Sequence, residues 1–220
     1  VGLGAIGVKV ANAARRLGMN VLGFDPAMTV SSAWQLSSQV GHVASIGELL
    51  RKSDMVSLHV PFLPQTRHLI NAERLAAMPE EAVLLNFSRG GIVDEEALVD
   101  ALDAGKLRTY VCDFPTLALA DRADVIALPH LGASTREAEE NCAVMVADQI
   151  KAFLEDGTVQ NSVNFPEADM PRNEGHRVAV ANRNVPNMLG QISTTLAKAN
   201  LNIIDMLNKS KGELAYTLLD

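Results

Sequence analysis

Two side chains in this chain have the chemistry to move a proton and to hold an anion. His130 stands in VIALPHLGAST, residues 125–135, where an apolar run delivers a histidine to the mouth of a glycine- and serine-containing loop. Imidazole titrates near pH ~6.5 when unperturbed, which suits a general base. Such a base needs an acid to orient its ring, and the stretch before it, VCDFPTLALADRAD (111–124), offers Asp121 and Asp124 as candidates. Arg89 stands in NFSRGGIVDEEAL (86–98), just past a second apolar run, where a guanidinium can grip a carboxylate with two parallel hydrogen bonds. Each has a plainer reading: a surface ion pair for Arg89 and a loop-capping histidine for His130.

A third constellation opens the chain. VGLGAIG spells G-x-G-x-x-G through Gly2, Gly4 and Gly7, and the next apolar run ends in Asp25. In a strand–turn–helix setting the first glycine allows the tight turn. The second lets the backbone approach a pyrophosphate, and the third lets helix and strand pack closely. The helix N-terminus then faces the phosphate charge. An acid at Asp25 accepts hydrogen bonds from an adenosine ribose and repels a 2′-phosphate, which favours NAD over NADP. The plain alternative is an ordinary turn with a solvated aspartate.

The elements that must position these groups alternate. VLGFD (21–25), MVSLHV (55–60), AVLLNFS (82–88), RTYVCDF (108–114) and VIALP (125–129) read as short buried strands. AIGVKVANAARRLG, SIGELLRKS, NAERLAAM and EEALVDALDAG read as helices. The first of these presents Ile6, Val10, Ala13, Ala14 and Leu17 as its apolar face and stops at Gly18, and Asp94 N-caps the last. The implied fold class is α/β: a doubly wound parallel sheet, a Rossmann-like nucleotide-binding domain spanning residues 1–135. A long helix follows from 134 and stops at Gly157. Residues 136–165 are read as this helix and a short returning strand, and 166–175 as a linker. From 176 to 220 a smaller unit begins. HRVAVANR alternates like a strand, Leu189, Ile192 and Leu196 share one helical face, and two further strands are joined by KSKG. Only Val1 precedes the first glycine, so the chain is expected to be a fragment lacking a strand and a preceding domain, and inactive when made alone.

Composition excludes other classes. The chain has 220 residues, 48% hydrophobic and 20% charged, with net charge −7. That balance suits a globular core and argues against nucleic acid as a partner. No apolar run reaches the roughly 18 residues of a membrane span. The two cysteines form no CxxC, so a reducing cytoplasm is expected, and no metal site is.

Taken together, VGLGAIG, GFDP, SLHVP, NFSRGGIVDEEAL, CDFP and PHLGAST resemble the D-isomer-specific 2-hydroxyacid dehydrogenases over residues 1 to about 165. The tail RNVPNMLGQISTTLAKANLNI resembles the start of an ACT domain, a βαββαβ amino-acid-sensing module, here partial. The resemblance implies NAD as cofactor and Arg89 and His130 as the catalytic residues. It also assigns Ala5 and Ile6 to the pyrophosphate, and Phe87, Ser88, Leu131, Gly132 and Ala133 to the surroundings of the nicotinamide. Asp113 matches the family aspartate that contacts the nicotinamide end, which assigns it to the nicotinamide and not to His130. With the ACT-like tail, the implied reaction is oxidation of 3-phosphoglycerate to 3-phosphohydroxypyruvate, the first step of L-serine synthesis. The alternatives are another D-2-hydroxyacid dehydrogenase, such as a hydroxypyruvate reductase, and a non-catalytic NAD-responsive regulator.

The resemblance further implies a homo-oligomer, with L-serine as effector near Asn182, Asn184 and Asn202; turn and cap roles for these asparagines remain the other reading. One departure stands out. The family pairs its histidine with a glutamate in D-V-x-x-x-E-P, and Ala118 occupies that glutamate's place. The segment up to His130 is also shorter by about ten residues, a cheap loss for a surface loop.

Overall fold

The computed structural model describes residues 1–220. The chain forms two compact units, Val1–Leu131 and Gly132–Asp220. No helix is long and apolar enough to cross a membrane.

The first unit alternates helix and strand: α1 (Ala5–Arg16), β1 (Leu22–Gly23), α2 (Val30–Gln35), β2 (Gly41–His42), α3 (Ile46–Arg51) and β3 (Met55–Leu58). Then follow α4 (Ala72–Ala76), β4 (Ala82–Asn86), α5 (Glu95–Asp103), β5 (Leu107–Cys112) and β6 (Val125–Ala127). Strands β3-β4-β5-β6 pair in that order, all parallel, and β1 pairs with β2, also parallel. Val1 joins the two sheets: Ser57 O and His59 N bond its backbone on one side, and Gly2 N donates to Phe24 O on the other. The spatial order is therefore β2, β1, Val1, β3, β4, β5, β6, a doubly wound order whose switch point lies between Val1 and β3. Strand β4, paired on both sides, buries Ala82, Val83, Leu84 and Asn86, as expected where both faces are covered. The core gathers Leu49 and Leu50 of α3, Leu75 of α4 and Leu98 and Leu102 of α5 around Val56, Leu58, Leu84 and Tyr110. A separate cluster holds α1 through Leu3, Val8 and Ala11.

The buried face of α1 differs from the expected one. Ile6 and Leu17 are exposed, and Gly7, Val8 and Ala11 are buried instead. The cause is close packing at the turn. A Cβ on Gly7 would lie 1.9 Å from Gly2 O, and Gly2 itself has φ +82°, where a Cβ would lie 2.5 Å from His59 O. This contact sets the rotation of the helix and overrides the apolar pattern. Helix α2 and strand β2 carry no clear periodicity, being short and mostly exposed.

The second unit contains α6 (Arg136–Asp156), β7 (Val178–Arg183), α7 (Met188–Lys198), β8 (Met206–Lys211) and β9 (Leu214–Leu219). Thr135 caps α6 by accepting from Ala138 N, and Gly157 ends it at φ +69°. The sheet order is β7-β9-β8, antiparallel throughout. Lys209, Ser210 and Lys211 belong to β8, not to a turn; the hairpin turn is Gly212-Glu213. The exposed face of an antiparallel strand tolerates such residues. The expected strand near 161–165 is reduced to one bridge, Val159 with Ala168. Ser162 Oγ takes the Phe165 amide locally, which competes with sheet pairing.

Arg177 and Asp220 anchor this unit. Arg177 Nε and Nη2 donate to the two Asp220 carboxylate oxygens at 2.7 and 2.6 Å. Its remaining hydrogens reach the carbonyls of Asp156, Met170 and Pro171, so every guanidinium donor is used. The Asp220 side chain is fully buried, and its carboxyl is held below the usual carboxylate range, first by the hydrogen bonds from Arg177.

Two consequences are testable by chemical denaturation. Gly7→Ala should destabilise the chain by about 1–3 kcal/mol, because the clash is with backbone. Gly4→Ala, with no heavy atom within 4 Å of the added Cβ, should stay within about 0.5 kcal/mol of the parent; equal stability of the two variants would contradict this turn. Arg177→Met should cost roughly 3–5 kcal/mol at neutral pH by stranding a buried carboxylate. The pair's contribution should be full above the ordinary carboxylate range and lost as pH falls through the depressed Asp220 value. A pH series in which parent and variant lose stability in parallel would show that the pair contributes nothing.

Candidate active site

At the switch point, α1 opens at Gly4 with no side-chain cap and no acid in its first turn. Ala5 and Ile6 are exposed there, and Gly4 faces open space. Unpartnered amides at a helix N-terminus favour an anion. Asp25 stands beside this turn: Oδ2 accepts from Leu3 N at 2.7 Å and Oδ1 from Ala27 N at 2.8 Å. A carboxylate has about four lone-pair sites, so each oxygen keeps capacity for a hydroxyl. An uncapped helix start, an open glycine and a half-buried acid thus fit a dinucleotide's pyrophosphate and ribose. His59, not singled out from sequence, closes the turn from below. Its Nε2 lies 2.9 Å from Ser57 Oγ, and burial pushes the ring down to about 4, leaving it neutral at pH 7. The missed signal was its position immediately after a strand's carboxyl end.

Arg89 follows β4 in a loop shaped by Asn86, which is 2% exposed. Asn86 Nδ2 donates to Arg89 O at 2.9 Å and to the Tyr110 hydroxyl at 3.3 Å. Its Oδ1 accepts from Ser88 N and Ser88 Oγ. Both amide hydrogens and the carbonyl are engaged, the full capacity of the side chain. The single Ser88 hydroxyl hydrogen is shared between Asn86 Oδ1 at 3.0 Å and Leu58 O at 2.9 Å, tying the loop to β3. Burial raises the Tyr110 phenol far above its ordinary range, so it stays protonated. Phe87 and Ser88 are half-buried, and the Arg89 side chain is exposed with Nη1 on Ser88 O. Sequence reading passed over Asn86, although a polar residue ending an otherwise apolar strand is the kind of signal that marks such a group.

His130 follows β6, and Asp113 follows β5. Against the expectation that Asp113 serves only the nicotinamide end, the structure brings them together, because neighbouring strand ends share one edge: His130 Nδ1 lies 2.8 Å from Asp113 Oδ2. The Asp113 side chain is 14% exposed and that of His130 42%. The Phe114 ring lies 4.5 Å from the imidazole, centre to centre. His130 has φ +50°, a left-handed conformation that costs an L residue roughly 1–2 kcal/mol. A Cβ at Gly90 would lie 3.8 Å from Phe114 Cβ, so the Arg89 loop and the His130 ring both meet Phe114.

The other acids before His130 are placed elsewhere. Asp124 precedes β6, at the strand's far end, and is gripped by Arg122 Nε and Nη2 at 2.9 and 2.8 Å. Asp121 sits in a turn at φ +61°, and Ala118 is exposed beside buried Leu119. Leu131, Gly132 and Ala133 are exposed. In the second unit, Asn184 N and Nδ2 donate to Glu213 O and Gly212 O, and Asn182 Nδ2 to Arg183 O. Asn202 lies between α7 and β8 and shares no hydrogen bond with them.

Residues 1–132 match the family described as D-isomer specific 2-hydroxyacid dehydrogenase, NAD binding domain. The whole chain is 35% identical to D-3-phosphoglycerate dehydrogenases of Haemophilus influenzae and Methanocaldococcus jannaschii, spanning 55% and 42% of those proteins. It therefore spans about half the length of the curated relatives it matches. Among solved structures, a glyoxylate reductase from Paecilomyes thermophila shares 32% identity with TM-score 0.65, over 74% of this chain and 50% of that one. A D-lactate dehydrogenase from Aquifex aeolicus, complexed with NAD and lactic acid, shares 31% identity with TM-score 0.58, over 70% of this chain and 52% of that one. On its family match, its parallel α/β sheet and these relatives, the chain belongs to the D-isomer-specific 2-hydroxyacid dehydrogenase family, of which residues 1–132 are the NAD-binding domain.

Proposed function

We propose that this chain serves the NAD-dependent oxidation of 3-phosphoglycerate to 3-phosphohydroxypyruvate, the first step of L-serine synthesis. The observation that carries the chemistry is the His130–Asp113 pair beside the Arg89 loop, at the carboxyl end of a parallel sheet. The choice of substrate is supported by relatives named D-3-phosphoglycerate dehydrogenase, which match all of the chain, including the residues beyond the NAD-binding domain.

In this reading His130 Nε2 takes the proton of the substrate's C2 hydroxyl: the O–H bond breaks, an N–H bond forms, and the oxygen electrons become the new carbonyl. NAD, when bound, supplies the acceptor for the hydrogen that leaves C2 as hydride. Arg89 holds the substrate carboxylate and stabilises charge developing on the carbonyl oxygen. Gly2, Gly4, Ala5, Ile6 and Gly7 would hold the pyrophosphate and Asp25 the adenosine ribose. Phe87, Ser88, Leu131, Gly132 and Ala133 would line the nicotinamide end.

We further infer that residues 176–220 are an ACT-type unit. Its strand–helix–strand–strand order and its β7-β9-β8 antiparallel sheet support this, being the first four elements of a βαββαβ module. The Asn182 carbonyl oxygen is buried without a partner, which suits an amino-acid amine as donor. Asn184 is already engaged in the hairpin turn, which suits the plainer role there. A homo-oligomer paired through these units completes the proposal.

The decisive assay is NADH formation by the natural full-length protein. Turnover is expected with 3-phosphoglycerate and at least about tenfold lower kcat/KM with D-lactate or D-glycerate, since a lost charged contact costs about 1.5–3 kcal/mol. NAD binding without 3-phosphoglycerate turnover would sink the enzyme reading, and a preference for D-glycerate would favour the hydroxypyruvate-reductase alternative. His130→Ala should lower kcat by about 10²-fold or more while sparing NAD affinity. Unchanged turnover would remove His130 from the mechanism. Added L-serine should slow the parent, and Asn182→Ala should relieve that effect; insensitivity of the parent would discard the effector assignment.

A further inference from the structure

We propose that Asp113 is the positioning residue of His130, performing in this chain the ring-orienting task for which Ala118 leaves no carboxylate. This rests on the proposed role of His130 as base and changes the role that the family resemblance suggests for Asp113, a contact to the nicotinamide.

The register of two neighbouring strands places the pair. Cys112 of β5 stands opposite Ala127 of β6, and Leu128 N continues the ladder by donating to Cys112 O at 2.8 Å. Asp113 is the next residue on one strand, and His130 lies just beyond the end of the other. The Asp113 backbone is itself held, its amide donating to Asn86 O. The carboxylate is therefore presented from a fixed strand end, not from a free loop. The ring has a second support in Phe114, one residue along the same strand end.

Other carboxylates in this part of the unit have different partners. Asp124 is taken by Arg122, Glu95 by the Thr116 hydroxyl, and Asp94 faces His68 at 3.3 Å. Asp113 is the carboxylate hydrogen-bonded to His130.

The consequence for chemistry follows from what a carboxylate can do. It accepts hydrogen bonds and has none to donate, so the Nδ1 facing it must carry the ring's proton. Neutral imidazole then has its lone pair on Nε2, the atom that must take the substrate's proton. Once that proton arrives the ring is cationic, and the bond to Asp113 becomes charge-assisted at both ends. The same residue thus fixes the tautomer before the step and stabilises the imidazolium after it.

Asparagine at 113 keeps the size of the side chain but can donate through its amide. It would stabilise the opposite tautomer, with the proton on Nε2 where it blocks the base. The test is Asp113→Asn and Asp113→Glu in the natural full-length protein, with steady-state kinetics and ¹⁵N-histidine NMR, the His130 signal being assigned by its loss in His130→Ala. In the parent, neutral His130 should be the Nδ1–H tautomer. In Asp113→Asn it should shift toward Nε2–H, with kcat down about 10²- to 10⁴-fold and KM for NAD within about threefold. Asp113→Glu should recover part of kcat and the parental tautomer. An Nε2–H tautomer in the parent would overturn the assignment without any variant. So would Asp113→Asn raising KM for NAD with kcat unchanged, the mark of a nicotinamide contact alone. The NMR reading needs no substrate, so it stands or falls separately from the identity of the reaction. Retained turnover in His130→Ala would instead defeat the proposed function itself.

Discussion

One row of hydrogen-bonded residues underlies the candidate site: Leu58, Asn86, Cys112 and Ala127 stand side by side across β3, β4, β5 and β6. Parallel pairing makes all four strands end at the same level. His59 lies one residue past the row, Phe87 to Arg89 one to three past it, Asp113 and Phe114 one and two past it, and His130 three past it. Residues far apart in sequence thereby share one edge, the edge where open α/β sheets bind ligands. A slip of one residue in any pairing would turn side chains to the opposite face of the sheet. The burial of Leu58, Leu84 and Cys112 opposes such a slip, so core packing and site geometry are enforced by the same contacts.

Above that row, polar groups do the finer positioning. Asn86 fills its whole hydrogen-bonding capacity between the Arg89 loop and Tyr110, so it can sit in the core without an unpaired atom. Ser88 carries the connection on to β3. Asp113 and His130 are hydrogen-bonded at this edge, and the half-exposed ring leaves room for a substrate on its other nitrogen. At the switch point the demand is different. There the helix start must remain uncapped and the glycines must remain bare, and Gly7 is so close to Gly2 that no side chain fits between them. The second unit relies on burial of a fully satisfied Arg177–Asp220 pair, together with the Tyr216 hydroxyl on Gly157 O, to join its sheet to the end of α6.

Much of the fold was legible because it depends on local pattern. Short apolar runs bounded by turn residues located β3 to β6 to within about two residues. Asp94 and Gly157 ended their helices as their side-chain chemistry requires, one by accepting an amide and the other by adopting positive φ. The misreadings share a cause. The face of α1, the bridge at Val159 and Ala168, and the placement of Lys209 to Lys211 in a strand each depend on what the segment meets in space. An apolar pattern cannot report a backbone contact between two glycines, and propensity cannot report which face of a strand is solvated.

The sequence by itself determined the α/β class, the glycine turn with Asp25, and the placement of Arg89 and His130 just past apolar strands. Residue type and spacing are enough for these, because strand ends and helix starts are specified within a few neighbours. Only the tertiary structure decided which acid meets His130. The resemblance assigned Asp113 to the nicotinamide and left Asp121 and Asp124 as candidates, neither with the family spacing. Parallel register decides otherwise: it carries Asp113 to the edge that holds His130 and leaves Asp124 at the opposite end of β6, neutralised by Arg122. A pairing between strand ends is a property of the sheet, and becomes readable once the strands are placed side by side.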